Sequence, residues 1–311
     1  MQREPSRLRR GVIGIKLNTV LITGANGLLG QKLAKEFYPH YKVIACDLNS
    51  ESYFIFPNFS YESLDITNRR GLAFQIAFYH PQAIVNAAAY TDVDGCEIHK
   101  NKAWAVNVGG VRNLANLCKK QEIKLVHLST DYIFSGEDGP YSEDDFPDPA
   151  NYYGETKLES EKIIKESGID FLIIRTNVLY GVGKNVKPNF FLWLKEKLSK
   201  NEKIEIVTDQ FNNPTLADNL SSCILEMVKK NISGTYHIAG SEYLSRYDFA
   251  TKVATKFNFD KSNILPTKTE LLQQKAKRPP KGGLKIDKAQ GVLETKLLNV
   301  NQALDYLIEN R

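Results

Sequence analysis

Tyr153 and Lys157 stand four positions apart in Tyr153-Gly154-Glu155-Thr156-Lys157, and on a helix that spacing puts both on one face. A phenol with an unperturbed pKa near ~10 is a poor proton donor at neutral pH. An ammonium close by stabilises the phenolate and lowers that pKa, so the pair is a candidate general acid/base. Taken alone the spacing is common and reads equally as an exposed helical pair. Thr130, in Ser129-Thr130-Asp131-Tyr132, ends an apolar run and offers a hydroxyl to a substrate oxygen.

A second group of residues fits a dinucleotide. Gly24-Ala25-Asn26-Gly27-Leu28-Leu29-Gly30 is a GxxGxxG loop between an expected strand and an expected helix, the context such a fingerprint needs. Gly24 and Gly27, flanked by Asn26 and Leu28, would let the backbone approach a pyrophosphate at the helix N-terminus. Gly30 would allow the helix to pack closely on the strand. Asp47 ends the second apolar run, where a carboxylate can accept from an adenosine ribose. It would repel a 2′-phosphate, and Cys46-Asp47-Leu48-Asn49 carries no arginine, which leans toward NADH over NADPH. Asp65 and Ile66 are expected near the adenine edge. Ala87, Ala88 and Ala89, after Asn86, leave room for a cofactor or else pack tightly in a core. Asn107 is a candidate to hold a water linking to Lys157, although alone it reads as a surface asparagine.

The elements that would position these residues alternate regularly. Strands are expected at 18–23, Lys42–Cys46, Ser63–Ile66, Ala83–Ala89, Lys124–Ser129 and Asp170–Arg175. Helices are expected from the glycine loop to Phe37, over Arg69–Tyr79, His99–Cys118 and Tyr152–Glu166, with a loop at Ser135–Ala150. That rhythm predicts an α/β fold with a doubly wound parallel sheet. After about Tyr180 helices dominate (Asn189–Lys200, Ala217–Lys230, Arg246–Phe257, Val300–Glu309), with a strand-like piece at Thr235–Ile238. The expected organisation is therefore a leader over 1–17, a dinucleotide-binding domain over 18–180 and a smaller, mostly helical substrate lobe over 181–311.

Bulk properties narrow the classes. The 311 residues are 42% hydrophobic and 25% charged with a net charge of +5, too mild to imply nucleic acid. Part of the excess lies in Arg3, Arg7, Arg9 and Arg10. No apolar core of a secretory signal follows them, and no run approaches the ~18 apolar residues of a membrane span. Cys46, Cys96, Cys118 and Cys223 are scattered without CxxC or metal spacing. They read as reduced thiols of a cytoplasmic protein without a metal site.

Together, the glycine loop, Asn86-Ala87-Ala88-Ala89, Ser129-Thr130-Asp131-Tyr132 and Tyr153-Gly154-Glu155-Thr156-Lys157-Leu158 resemble the extended short-chain dehydrogenase/reductases. Within these, the chain looks most like the dTDP-4-dehydrorhamnose reductase group. Asp92-Val93-Asp94-Gly95-Cys96-Glu97, Asp209-Gln210-Phe211-Asn212-Asn213-Pro214-Thr215, and Arg278-Pro279 followed by Leu284 are similar to that group's motifs, and the likeness spans about 18–308. The resemblance implies a Rossmann fold and NAD(P)H-dependent reduction of the 4-keto group of a deoxy nucleotide sugar, as in dTDP-4-dehydrorhamnose to dTDP-L-rhamnose. It makes Tyr153 the proton donor, with Lys157 lowering its pKa and binding the nicotinamide ribose. Thr130 would bond the sugar carbonyl, while Thr91, Asp131, Tyr132 and Val178 would line the sugar site. Asp131 is followed by Tyr132 where related dehydratases carry an Asp-Glu pair, which favours simple reduction. Val178 departs from the usual tryptophan and Gly282 from a serine, and both bear on the sugar. The resemblance allows a homodimer, although no isolated apolar stripe demands one. The regulatory β subunit of methionine adenosyltransferase resembles the same family and keeps the tyrosine–lysine pair, so a non-catalytic dinucleotide-binding subunit is the alternative. A related epimerase or reductase is another. Thr130 and Tyr90-Thr91-Asp92-Val93-Asp94 side with the reductase.

Overall fold

In the computed structural model, residues 18–310 are described, so the leader expected over 1–17 lies outside them. Six parallel strands come first: β1 (Thr19–Thr23), β2 (Lys42–Asp47), β3 (Phe59–Ser63), β4 (Ala83–Asn86), β5 (Lys124–Thr130) and β6 (Phe171–Thr176). The strand Gly234–His237 completes a seven-stranded sheet by pairing with β6, and the spatial order runs Gly234–His237, β6, β5, β4, β1, β2, β3. The chain reverses direction across the sheet between β1 and β4. Runs such as Val20-Leu21-Ile22 and Val43-Ile44-Ala45 are buried because helices cover both faces of a parallel sheet.

On one face, α1 (Leu28–Phe37) packs with Leu33 and Phe37 against Leu220, Ile224 and the sheet. On the other lie α2 (Arg69–Tyr79), α3 (Val93–Ile98), α4 (Lys100–Trp104), α5 (Val111–Gln121) and α6 (Tyr152–Ser167), with Leu72, Leu114 and Ile164 in a second core. A third core belongs to the C-terminal lobe, where α7 (Phe190–Ser199), α9 (Arg246–Lys256) and the helix Val300–Glu309 enclose Tyr180, Phe191, Phe249 and Leu304. Between these, α8 (Ala217–Lys229) returns to α1, where Lys32 pairs with Asp218 at 2.9 Å. The chain thus crosses the expected division at residue 180 in both directions, through α8 and through Gly234–His237.

Three elements differ from the sequence reading. The third strand is Phe59–Ser63, not Ser63–Ile66. It is an edge strand and half exposed, so no apolar run marks it. Leu64 and Ile66 are buried because they cover the α2–α5 face after the strand has ended. The fourth strand stops at Asn86, and Ala87–Ala89 continue past the sheet edge. The long helix expected over His99–Cys118 is broken into α4, a π-helical turn over Ala105–Gly110 and α5. Glycine permits that turn: a Cβ at Gly110 would stand 2.5 Å from the Ile66 side chain. Among the described residues no helix is long and apolar enough to cross a membrane.

Candidate active site

The C-terminal ends of β1, β4 and β5 and the start of α6 converge beside the β1–β4 reversal, where open α/β sheets take their ligands. Asn151 caps α6 by accepting from the Gly154 amide, and its own amide donates to Lys277 O at 2.9 Å. Gly154 lets α6 abut the turn after β5, since a Cβ there would stand 2.0 Å from Tyr132 O. This contact brings the Tyr153 phenol beside the Thr130 hydroxyl. The Tyr132 and Tyr153 rings meet edge-on at 6.0 Å.

The electrostatics depart from expectation at this pair. Burial pushes the Tyr153 phenol up, the neighbouring Cys96, Asp131 and Tyr132 add to the rise, and the nearby Thr130 hydroxyl opposes it. Lys157 does not point its charge there. It is 2% exposed, and its Nζ donates to Leu128 O at 2.6 Å and lies 3.1 Å from His127 Nε2. Burial lowers its pKa to about 8, against the opposing charge of Glu161. In this arrangement Tyr153 carries its proton through neutral pH, but among the described residues no cation stands by to bring the phenol's pKa down toward the operating pH that efficient proton transfer favours.

The substrate-side residues divide. Tyr132 is half-buried near the Arg246 guanidinium, and Thr91 is exposed just past the alanines. Asp131 is turned inward at 3% exposure, contrary to the expectation that it lines a sugar site. It accepts from Thr130 Oγ1 at 3.3 Å, Asn177 Nδ2 at 3.3 Å and the Gly283 amide at 3.4 Å. Burial outweighs these bonds and raises its pKa to about 6. Val178 is half-buried beside this cluster with a φ of +38°. Asn107 is not a surface residue. Its carboxamide closes on the backbone of Tyr90, taking the amide at 2.8 Å and giving to the carbonyl at 3.1 Å, and also donates to Thr156 at 3.0 Å.

At the glycine loop, Gly24 takes φ +67° and lies against Ala87 and Ala88, where a Cβ would stand 2.7 Å from the Ala88 amide. A Cβ at Gly30 would stand 2.1 Å from Gly24 O. Gly27 is the N-cap of α1, no side chain caps the helix, and its first turn, from Leu28, holds no acid. Amide donors at such an end suit an anion, and half-exposed Ala87–Ala89 leave space beside them, so the loop fits a dinucleotide. Asn26 is not free to bind one through its side chain. It spans to Glu51 O and Tyr61 Oη, both at 2.9 Å, and accepts from the Tyr53 amide at 3.0 Å. Asp47 accepts from the Asn26 and Leu48 amides at 2.9 and 2.8 Å, so loop and carboxylate are one unit. Asp65 is exposed and accepts from the Thr67 amide at 2.8 Å, while Ile66 is buried.

Next to Tyr132, a cavity of about 430 Å³ opens in the C-terminal lobe, lined by Phe190, Trp193, Gln210, Arg246 and Arg278 among others. Phe190 and Trp193 stack at 5.9 Å, and the Arg246 guanidinium lies 5.0 Å over the Phe190 ring. Arg278 is held bidentately by Asp94 at 3.1 and 3.0 Å. Although burial opposes it, hydrogen bonds from Ala276 and Arg278 hold the Asp94 pKa below the usual carboxylate range. Gln210 and Arg278 fall in motifs the sequence shares with the reductases, whereas Phe190, Trp193 and Arg246 do not stand out in the sequence, because they meet only through the lobe's tertiary packing.

A family model described as "RmlD substrate binding domain" matches residues 18–311. The probable low-salt glycan biosynthesis reductase Agl14 of Haloferax volcanii is 32% identical, over 88% of this chain and 91% of its own length. Methionine adenosyltransferase 2 subunit beta of Rattus norvegicus is 30% identical over 82% of this chain and 76% of its own length. The crystal structure of dTDP-4-dehydrorhamnose reductase from Bacillus anthracis, in complex with NADP, superposes with a TM-score of 0.85 at 30% identity. That match covers 95% of this chain and 100% of the other. The chain belongs to the RmlD substrate-binding-domain family, within the extended short-chain dehydrogenase/reductases.

Proposed function

We propose that the protein is an oxidoreductase that reduces the 4-keto group of a deoxy nucleotide sugar with a nicotinamide dinucleotide, with dTDP-4-dehydrorhamnose as the first substrate to test. The docking of Tyr153 on the end of β5 carries this reading: Gly154 abuts Tyr132 O, the Tyr132 and Tyr153 rings meet edge-on at 6.0 Å, and the Thr130 hydroxyl lies beside the phenol. The dinucleotide supplies the hydride that adds to the carbonyl carbon. Tyr153 supplies the proton to the carbonyl oxygen as its charge develops, and Thr130 orients that oxygen through a hydrogen bond. Gly24, Gly27 and the uncapped start of α1 would hold the pyrophosphate, and Asp47 a ribose hydroxyl. Phe190 and Trp193 offer a stacking surface for a base, and Arg246 and Arg278 offer charge for a diphosphate.

Purified protein with dTDP-4-dehydrorhamnose and either NADH or NADPH is expected to consume the reduced-cofactor absorbance. Asp47 argues by charge for NADH, whereas the solved Bacillus anthracis relative carries NADP, so both cofactors belong in the assay. Tyr153→Phe should lower kcat by at least about 10²-fold while dinucleotide affinity is retained. A wild-type enzyme inert with both cofactors would overturn the reading for this sugar. The likeness to the methionine adenosyltransferase subunit supports a second reading, a dinucleotide-binding partner protein. That reading predicts dinucleotide binding without turnover and a stable complex with a methionine adenosyltransferase catalytic subunit.

A further inference from the structure

A buried polar row crosses the sheet beneath the site. Thr23 of β1 stands in register with Asn86 of β4, and Asn86 with His127 of β5. None is more than 1% exposed. Thr23 Oγ1 lies 2.6 Å from Asn86 Oδ1, the other end of that carboxamide lies 3.0 Å from His127 Nδ1, and His127 Nε2 lies 3.1 Å from Lys157 Nζ. The row begins at the strand that feeds the glycine loop and ends on the lysine of α6.

We infer that His127 is a positioning residue for Lys157: its Nε2 accepts from the ammonium, and Asn86, held by the sheet, keeps the imidazole proton on Nδ1. The donor and acceptor inventory leads there. A lysine ammonium can only donate, and its two neighbours are Leu128 O and His127 Nε2. Nε2 must then carry a lone pair and Nδ1 the hydrogen. Nδ1–H needs an acceptor, so the Asn86 carboxamide presents its oxygen to His127 and its NH2 to Thr23 Oγ1, the reverse of its drawn orientation and one that heavy-atom positions do not distinguish. Ser160 Oγ, also 3.1 Å from Nε2, donates to Lys157 O at 2.6 Å and so could itself only accept from the ring; the Lys157 ammonium on the same nitrogen, which must donate, decides against an Nε2–H. Burial and the Lys157 charge hold the His127 pKa well below its usual value, so the ring stays a neutral acceptor.

Without that acceptor, a buried ammonium would keep only the Leu128 carbonyl. The other charged or titratable groups around it are Glu161, one turn along α6, and Tyr153, one turn before. Arg175 of β6 and Lys165 reach it only through their pairs with Glu161. Losing a hydrogen bond to the charged form lowers an amine pKa, and Lys157 already sits near 8. The consequence for turnover rests on the reductase reading, but the titration of Lys157 does not.

The test compares wild type, His127→Gln and His127→Leu. Gln keeps an acceptor oxygen at roughly the reach of Nε2, whereas Leu removes it at similar size. The Lys157 side chain is titrated by NMR on protein labelled with ¹³C-lysine, assigned with Lys157→Arg. Leu is expected to lower the Lys157 pKa by on the order of one unit, with Gln much closer to wild type. The alkaline limb of kcat should move down by the same amount in Leu alone. A Leu variant titrating like wild type, or Gln shifting as far as Leu, would overturn the inference. Should Leu fail to fold, ¹⁵N spectra of the wild-type imidazole decide: the proton is expected on Nδ1 at pH 7, and finding it on Nε2 refutes the arrangement. Absence of turnover with intact Lys157 shifts would instead count against the reductase reading.

Discussion

Val178 and Asp131 each sit in the site in a state their chemistry resists. A φ of +38° is in the left-handed region, where a β-branched side chain crowds its own backbone. Val178 is held there by its carbonyl, which accepts from the Thr215 amide at 3.2 Å. Such strain costs of order 1–3 kcal/mol and gathers at functional sites. Asn tolerates this conformation, so Val178→Asn is expected to stabilise the protein by about 1 kcal/mol in urea unfolding. A loss of stability would show that the valine's packing outweighs the strain. For Asp131, burial raises the folded pKa to about 6, above the ~3.9 of an unfolded chain. A raised carboxylate favours the fold fully below the unfolded pKa and loses that contribution as pH rises through the folded one. Asp131→Asn cannot ionise, so the variant should gain stability relative to wild type as pH increases from 4 to 8. Parallel stability curves for the two proteins would refute the buried, reluctant carboxylate.

What positions these side chains is the contact between α6 and the turn after β5. With a Cβ at Gly154 placed 2.0 Å from Tyr132 O, alanine must force the helix away. Overpacking of that kind costs typically about 1–3 kcal/mol. Because Tyr153 is the neighbouring residue, Gly154→Ala is expected to lower kcat more than it raises KM, a split measurable by steady-state kinetics. Equal effects on both would mean that the turn yields instead of the helix. The elements that were legible in the sequence share one property. β1, β2 and β5 are apolar runs buried on two faces, and α6 carries its own start signal in Asn151 and stop signal in Gly168, which takes φ +73°. The sequence misplaces β3 because an edge strand buries little, while the buried Leu64 and Ile66 lie beyond its end. The π turn at Ala105–Gly110 is marked in the sequence only by Gly109-Gly110, which a reading by apolar periodicity passes over. In the site, Tyr153, Thr130 and Gly24 announce themselves by local spacing. Asp94 and Arg278 lie 184 positions apart, and only the folded lobe brings them together.

Across the whole molecule, a buried charge cluster joins the sheet to the returning C-terminal chain. Arg175 on β6 is bidentate with Glu161 of α6 at 3.0 and 2.8 Å, and Ser129 donates to the same carboxylate at 2.6 Å. Its third nitrogen reaches His237 Nε2 at 3.2 Å, on the strand that closes the sheet. A guanidinium can only donate, so Nε2 accepts, and Nδ1–H donates to Tyr141 O at 3.1 Å. His237 is therefore locked neutral, because a second ring proton would face the guanidinium. Burial, with Arg175 next, lowers its pKa from 6.5 to about 3. A depressed folded pKa contributes stability above the unfolded value, and that contribution is lost as pH falls toward the folded one. Between pH 6.5 and 3 the wild type should therefore lose stability steeply, aided at the acid end by Glu161, whose pKa Arg175 holds down against burial. His237→Gln keeps an acceptor for Arg175 but does not titrate. Its urea midpoint is expected to start lower at pH 7 and to fall less between pH 6.5 and 4.5, above the range where Glu161 protonates. If the two proteins lost stability in parallel over that interval, the histidine would not be the group that couples the returning strand to pH.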